Sequence, residues 1–126
     1  MWIYNKTINT YQATFELLVA MSKAVISFAR EYKYTFGERI INYTLDATAE
    51  VYLAKDAYRS KEKIEHIDKS LKSIALLWVI RKACWEVPNL STNIYVQQME
   101  NIATISKQLR AWRDYCERNA DKKQTI

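Results

Sequence analysis

The chain of 126 residues contains a single glycine, Gly37, and a single proline, Pro88. An all-β domain requires a turn roughly every 8–12 residues, and glycine and proline provide most such turns. Apolar residues instead recur every three or four positions over long stretches, which is the spacing of one buried helix face. The sequence therefore predicts an all-α fold, and its length predicts one domain with a hydrophobic core.

The apolar spacing predicts four long helices separated by short connections. The helices are predicted at about 5–32 and 36–58, after Ser60 and after Ser91, with connections at 33–35, 59–61 and 86–91.

Short connections force consecutive helices to be antiparallel neighbours. We therefore predict an up-down-up-down antiparallel four-helix bundle over residues 1–118, followed by a polar tail over 119–126. Pro88 cannot continue a helix, which agrees with a connection at this point.

Each predicted helix has a stripe of residues expected to be buried. The stripe of the first helix includes Ile8 and Phe15, and that of the third includes Trp78 and Arg81. A buried arginine requires a partner for its charge. In the predicted register, Glu38 is the nearest acidic residue to Arg81.

Gly37 lies in the segment YKYTFGERI. Thr35 and Glu38 form a T-x-x-E capping box, which predicts a helix start with Gly37 in its first turn. The missing side chain lets another group approach this turn. We expect that group to be either the connection around 85–89 or an anion bound by the free N–H groups of the turn.

The chain carries 19 lysine and arginine residues against 14 aspartate and glutamate residues, a net charge of +5. The surplus lies in 59–90 and 91–126, and an antiparallel bundle brings cations together at both of its ends. Such a surplus favours an anionic partner such as nucleic acid. The candidate phosphate-binding residues are Arg30, Lys33, Arg39, Arg81, Lys82, Arg110, Arg113 and Arg118.

The one histidine, His66, limits the enzyme classes that the chain could belong to. Lys63 stands three residues before it, so the Glu-x-x-His motif of di-metal helix bundles is missing. We predict no metal site, no cofactor and no catalytic residues. Arg59 and His66 form an Arg-x6-His pair similar to that of helical ribonucleases of the HEPN type, which stays open as an alternative.

Three further features concern the surroundings of the chain. Cys84 and Cys116 form no Cys-x-x-Cys motif, which favours reduced thiols. No apolar run approaches the ~18 residues of a membrane span, so we expect a cytoplasmic protein without a membrane partner. The nine tyrosines could lie at the rim of the core or in a subunit interface.

Three segments together resemble a known family: YTFGERIINYTLDATAEVYLA (34–54), LKSIALLWVIRKACWEVPNLS (71–91) and QQMENIATISKQLRAWRDY (97–115). The chain resembles the accessory variability determinant proteins of diversity-generating retroelements. Those proteins are related to four-helix bundle proteins encoded by intervening sequences in ribosomal RNA genes. The residues at the motif positions are Thr35, Gly37, Arg39, Arg81 and Trp112.

The resemblance implies a ring-forming homo-oligomer, usually a pentamer, that lacks catalytic residues and binds a reverse transcriptase and nucleic acid. We therefore expect a non-catalytic accessory protein that binds RNA or DNA and a reverse transcriptase through a basic surface. A scaffold that forms the oligomer without binding nucleic acid stays open as an alternative.

Overall fold

The computed structural model describes residues 2–84 and 92–124. Within these ranges the chain forms helices and no strand. The elements are α1 (Trp2–Ile26), α2 (Arg30–Tyr32), a π-helical turn (Lys33–Gly37), α3 (Glu38–Asp56), α4 (Ser60–Ala83) and α5 (Thr92–Gln124). Helix α3 packs between α1 and α4, and α5 packs against both α4 and α1. The predicted all-α four-helix bundle is confirmed.

Side-chain contacts show that α3 and α4 are antiparallel. Lys63 Nζ donates to the carbonyl oxygen of Ala54 at 2.9 Å, and Ser70 Oγ donates to the carbonyl oxygen of Ala47 at 2.9 Å. Moving forward along α4 therefore means moving back along α3. Gly37 and Thr48 lie beside Val25 and Thr14 of α1, so α1 and α3 are antiparallel. Arg81 and Asp68 of α4 bind Gln98 and Arg113 of α5, which completes the predicted up-down-up-down order.

The buried face of α1 differs by one position from the predicted stripe. Ile8 is 37% exposed and Phe15 is 45% exposed, so their predicted burial is wrong. Threonines take the buried positions of the first half of α1, because each hydroxyl can donate to a carbonyl oxygen of its own helix. The buried side chains of α1 are Thr7, Thr10, Thr14, Leu17, Met21 and Val25.

The hydrogen bonds of these threonines remove the cost of burying them. Thr10 Oγ1 donates to the carbonyl oxygen of Lys6 at 2.9 Å, and Thr14 Oγ1 donates to that of Tyr11 at 2.8 Å. On α3, Thr48 Oγ1 lies 3.3 Å from the carbonyl oxygen of Thr14, which joins the two helices.

The first connection of the bundle lies at 27–29 and not at the predicted 33–35. After α1 ends, the chain resumes a helical conformation at Arg30 and continues through the π turn into α3. Thr35 lies inside this turn, where its Oγ1 donates to the carbonyl oxygen of Glu31 at 2.9 Å. The predicted capping box is therefore wrong, since no helix starts at Thr35.

Gly37 allows the π turn to approach α1 closely. Its φ of −60° is that of an ordinary helix, so the backbone conformation does not require glycine. The lack of a side chain is what the packing requires. A Cβ at this position would lie 2.7 Å from Val25 Cγ1 and 3.6 Å from Phe28 Cδ2. Gly37 thus packs against the end of α1, while the predicted contact with 85–89 lies outside the described residues.

The second half of the chain agrees with the predicted helix positions. The connection predicted at 86–91 lies in the part of the chain that is not described, and α5 continues to Gln124, through most of the predicted tail. Within 2–84 and 92–124, no helix combines the length and apolarity needed to cross a bilayer. The largest fully buried apolar side chains include Met21, Ile40, Ile67, Leu77, Ile102, Ile105 and Leu109.

We expect the substitution Gly37→Ala to lower the free energy of unfolding by about 1–2 kcal/mol. The added methyl group overlaps Val25 Cγ1, and the cost of overpacking exceeds the gain of up to ~1 kcal/mol in helix propensity. Urea denaturation measures the change. In a Val25→Ala background the same substitution should become stabilising, and an equal effect in both backgrounds would contradict the contact.

Candidate nucleic-acid interface

Four of the predicted phosphate-binding residues lie at one end of the bundle, where α2, the π turn and the start of α3 meet the end of α4. Extending the α3/α4 register places Lys82 level with the π turn. We call this group, Arg30, Lys33, Arg39 and Lys82, the basic end. Three of its members are exposed, and Lys33 is half-buried.

The cations of the basic end are not neutralised by acidic partners. Among the described residues, none of the four forms an ion pair within 4.0 Å. Glu31 and Glu38 are exposed nearby in sequence and reduce the net charge of this end. Cations that form no ion pair with a neighbouring acidic residue are suited to bind phosphate oxygens.

Arg81 lies in the core, with an exposed fraction of 0%, so its guanidinium does not reach a phosphate on the surface. Its Nε donates to Gln98 Oε1 at 2.8 Å, and its guanidinium carbon lies 4.9 Å from the ring centroid of Tyr95. The predicted pair with Glu38 is wrong, because Glu38 is exposed and the polar partner comes from α5.

The buried guanidinium of Arg81 is incompletely paired. Among the described residues, its two terminal nitrogens have no hydrogen-bond partner. Burial lowers the pKa of Arg81, and the nearby Cys84 and Tyr95 only partly oppose this effect. Such a group stabilises the fold poorly, because removal from water costs more than one hydrogen bond and one aromatic contact return.

We expect the substitution Arg81→Met to raise the free energy of unfolding by about 1–3 kcal/mol, because it removes an unpaired charge and keeps the apolar volume. Urea denaturation measures this change, with the exposed Arg39→Met as a control that should differ by less than about 0.5 kcal/mol. A loss of about 3 kcal/mol or more would contradict the prediction and would reveal an anionic partner of Arg81.

The three candidate arginines of α5 differ in whether an acidic side chain pairs with them. Arg113 is held by two acids: its Nε donates to Asp68 Oδ1 at 2.5 Å and its Nη1 donates to Glu117 Oε1 at 2.7 Å. These hydrogen bonds raise the pKa of Arg113, and its charge is compensated. Arg110 and Arg118 are exposed, so they are the better phosphate ligands on this helix.

The residues of the alternative ribonuclease do not come together on one helix. Arg59 has an extended main chain with ψ of 142° and precedes α4, whereas His66 lies on α4. His66 Nδ1 is 2.6 Å from Glu50 Oε2, so the polar partner of the histidine is an acid on α3. Across the described residues, His, Cys, Asp and Glu side chains form no cluster of three that could bind a metal ion.

A groove between the outer sides of α4 and α5 was missed by the sequence patterns. Trp78 was predicted to be buried and is 40% exposed, so this prediction is wrong. One section of the groove has a volume of about 590 Å³ and the next about 300 Å³, and both are lined by Trp78 and Ala103. We call the residues of these two sections the α4/α5 groove; its charged rim is formed by Lys82, Glu100, Lys107 and Arg110.

The remaining motif residue, Trp112, is a core residue with an exposed fraction of 5%. It lines a cavity of about 290 Å³ between α1 and α5, together with Thr7 and Gln108. Among the described residues, α1 and α5 pack together less extensively than the other adjacent long helices do. Trp112 therefore supports the fold at the α1/α5 contact and is not available to stack on a base.

Cys84 and Cys116 are both buried, and neither forms a disulfide. Burial raises the pKa of the Cys84 thiol to about 11, so about 0.1% of it is thiolate at pH 8.

We expect Ellman's reagent to label neither thiol of the native protein rapidly at pH 8, because the nucleophile is the thiolate and both side chains are inaccessible. The absorbance of the thionitrobenzoate that the reagent releases measures the rate of labelling. Urea should expose both thiols, and an Ala83→Cys variant, at an exposed position, should react quickly in the native state. Rapid labelling of two thiols in native wild-type protein would contradict the burial.

Comparisons with known proteins identify a fold relative. No protein-family model matches the chain, and no curated protein matches it. The crystal structure of a protein of unknown function from the S23 ribosomal protein family of Bacteroides thetaiotaomicron is similar, with a TM-score of 0.79 and 14% sequence identity. The similarity covers 86% of this chain and 98% of that chain. At this identity, the likeness extends to the fold.

Proposed function

We propose that this chain is a non-catalytic accessory protein of a diversity-generating retroelement that binds RNA or DNA and a reverse transcriptase. It does so as a ring-like homo-oligomer, with a pentamer favoured by the family resemblance. The observation that carries the nucleic-acid part is the basic end, whose cations are free of ion pairs within the described residues.

The binding mechanism is electrostatic. Arginine and lysine side chains neutralise phosphates and release the counterions condensed on the nucleic acid, with little reading of base sequence. Arg30 and Arg39 are the strongest candidates for phosphate binding because both are exposed. Unlike Lys82, neither of them lines the α4/α5 groove.

We expect the double substitution Arg30→Gln/Arg39→Gln to weaken binding of single-stranded RNA. Each lost phosphate contact should reduce the slope of log K against log salt by about 0.7, or about 1.4 for both. Fluorescence anisotropy over a series of salt concentrations measures the slope. The control is Lys61→Gln/Lys69→Gln, which removes the same charge from two exposed positions of α4 and should keep most of the slope.

Two other results would change the proposed function. If wild-type protein fails to bind RNA and DNA at low salt but still assembles, the chain is a protein–protein scaffold. If both double variants lose slope equally, net charge alone drives binding and the basic end has no special role.

A further inference from the structure

Apolar side chains form a continuous exposed surface on the outer side of α1 and α3. The ring centroid of Tyr11 lies 6.4 Å from that of Phe15 on α1 and 5.7 Å from that of Tyr52 on α3, which joins the two helices. The exposed fractions range from 37% for Ile8 to 69% for Ile26. We call this surface the α1/α3 face; its exposed members are Ile8, Phe15, Val19, Ile26, Leu45 and Tyr52.

The α4/α5 groove forms a second apolar surface. Trp78 is 40% exposed, Val79 is 64% exposed and Val96 is 45% exposed, and the buried Ile74 and Ile102 also line the groove. Because α3 packs between α1 and α4, and α5 closes the bundle, the groove lies on the opposite side from the α1/α3 face. The α1/α3 face carries large exposed side chains, and the other surface is a groove.

The size of the α1/α3 face matches that of a protein–protein interface. An aromatic side chain has about 200 Å² of surface and an aliphatic one has less, so these two aromatic and four aliphatic side chains, which are 37–69% exposed, present roughly 400–500 Å². A stable interface buries about 800 Å² per partner, of which about 60% is apolar, or about 500 Å². This is also at the upper limit of what monomers leave exposed.

The lengths of the two surfaces also agree. The row from Ile8 to Ile26 extends about 27 Å along α1, and the groove extends about 21 Å along α5 from Val96 to Arg110, at 1.5 Å per residue. A symmetric dimer through either surface alone would leave the other exposed to water. Contact between the two different surfaces covers both.

We propose that the α1/α3 face of one copy of this chain docks in the α4/α5 groove of the next copy. This inference rests on the ring-like assembly of the proposed function and assigns its contact surfaces. Two different surfaces that bind each other make a heterologous interface, which repeats from copy to copy and gives a closed ring when the rotation between copies closes. Phe15 and Val79 lie within the two surfaces, and Arg30 and Arg39 of the basic end lie in neither.

The test uses two single variants of the full chain, Phe15→Glu and Val79→Glu, each of which buries a charge in one surface. Native mass spectrometry and multi-angle light scattering measure the mass. Wild-type protein should form one discrete oligomer, and each variant alone should have the mass of one protomer. Mixed in equal amounts, the variants should form a species of two protomers, one of each, because that pair keeps one intact interface.

Leu53→Glu is the matched control, since Leu53 is 46% exposed and belongs to neither surface; it should keep the wild-type mass. Circular dichroism checks that each variant is folded, and Ile26→Glu replaces Phe15→Glu if the latter does not fold. If either variant alone keeps the wild-type oligomer, or if their mixture stays monomeric, the assigned surfaces are wrong while a ring through other surfaces stands. A monomeric wild type overturns the ring itself, and RNA binding by Arg30 and Arg39, which lie in neither surface, is measured independently.

Discussion

Hydroxyl groups inside the core hold α3 in register with both of its neighbours, and the rest of the bundle depends on this. Thr48 lies against the carbonyl oxygen of Thr14 on α1, and Ser70 of α4 donates to that of Ala47 on α3. Such bonds require main chains that approach closely, which the small residues on these faces permit. Gly37 extends the same close approach to the π turn, where Val25 leaves no room for a side chain. A sliding of α4 by one turn would break the bond of Ser70 to Ala47, and a sliding of α1 would leave Thr48 with only its bond to Thr44 in its own helix.

This register decides which surfaces remain for function. Because α3 is held against both α1 and α4, the α2 segment, the π turn and the last turn of α4 meet at one end and form the basic end. The large apolar side chains that the register turns outward form the α1/α3 face and the α4/α5 groove. A ring built through these two sides would leave Arg30 and Arg39 exposed, so assembly and nucleic-acid binding are physically compatible in the proposed function.

Part of the candidate site could be predicted from the sequence. The antiparallel order, which follows from helix periodicity and short connections, predicted that Lys33, Arg39 and Lys82 share one end. It placed Arg81 both on a stripe expected to be buried and among the phosphate-binding residues, but it could not decide between the two, since a charge on an apolar stripe can be buried or can extend to solvent. Nor did it predict that Arg113 would be held by Asp68, because that pair joins residues from two helices.

The sequence by itself determined the fold class, because one glycine and one proline in 126 residues leave few turns and the apolar spacing of long helices persists between them. It also determined the order of the helices, because short connections allow only antiparallel neighbours. The tertiary structure alone decided which side of α1 is buried, since threonines with satisfied hydroxyls compete for the core with isoleucine and phenylalanine. It also decided that the chain turns at 27–29, where no glycine or proline marks the turn, and that Gly37 packs against Val25. These outcomes depend on distances between helices, which no pattern within a single helix contains.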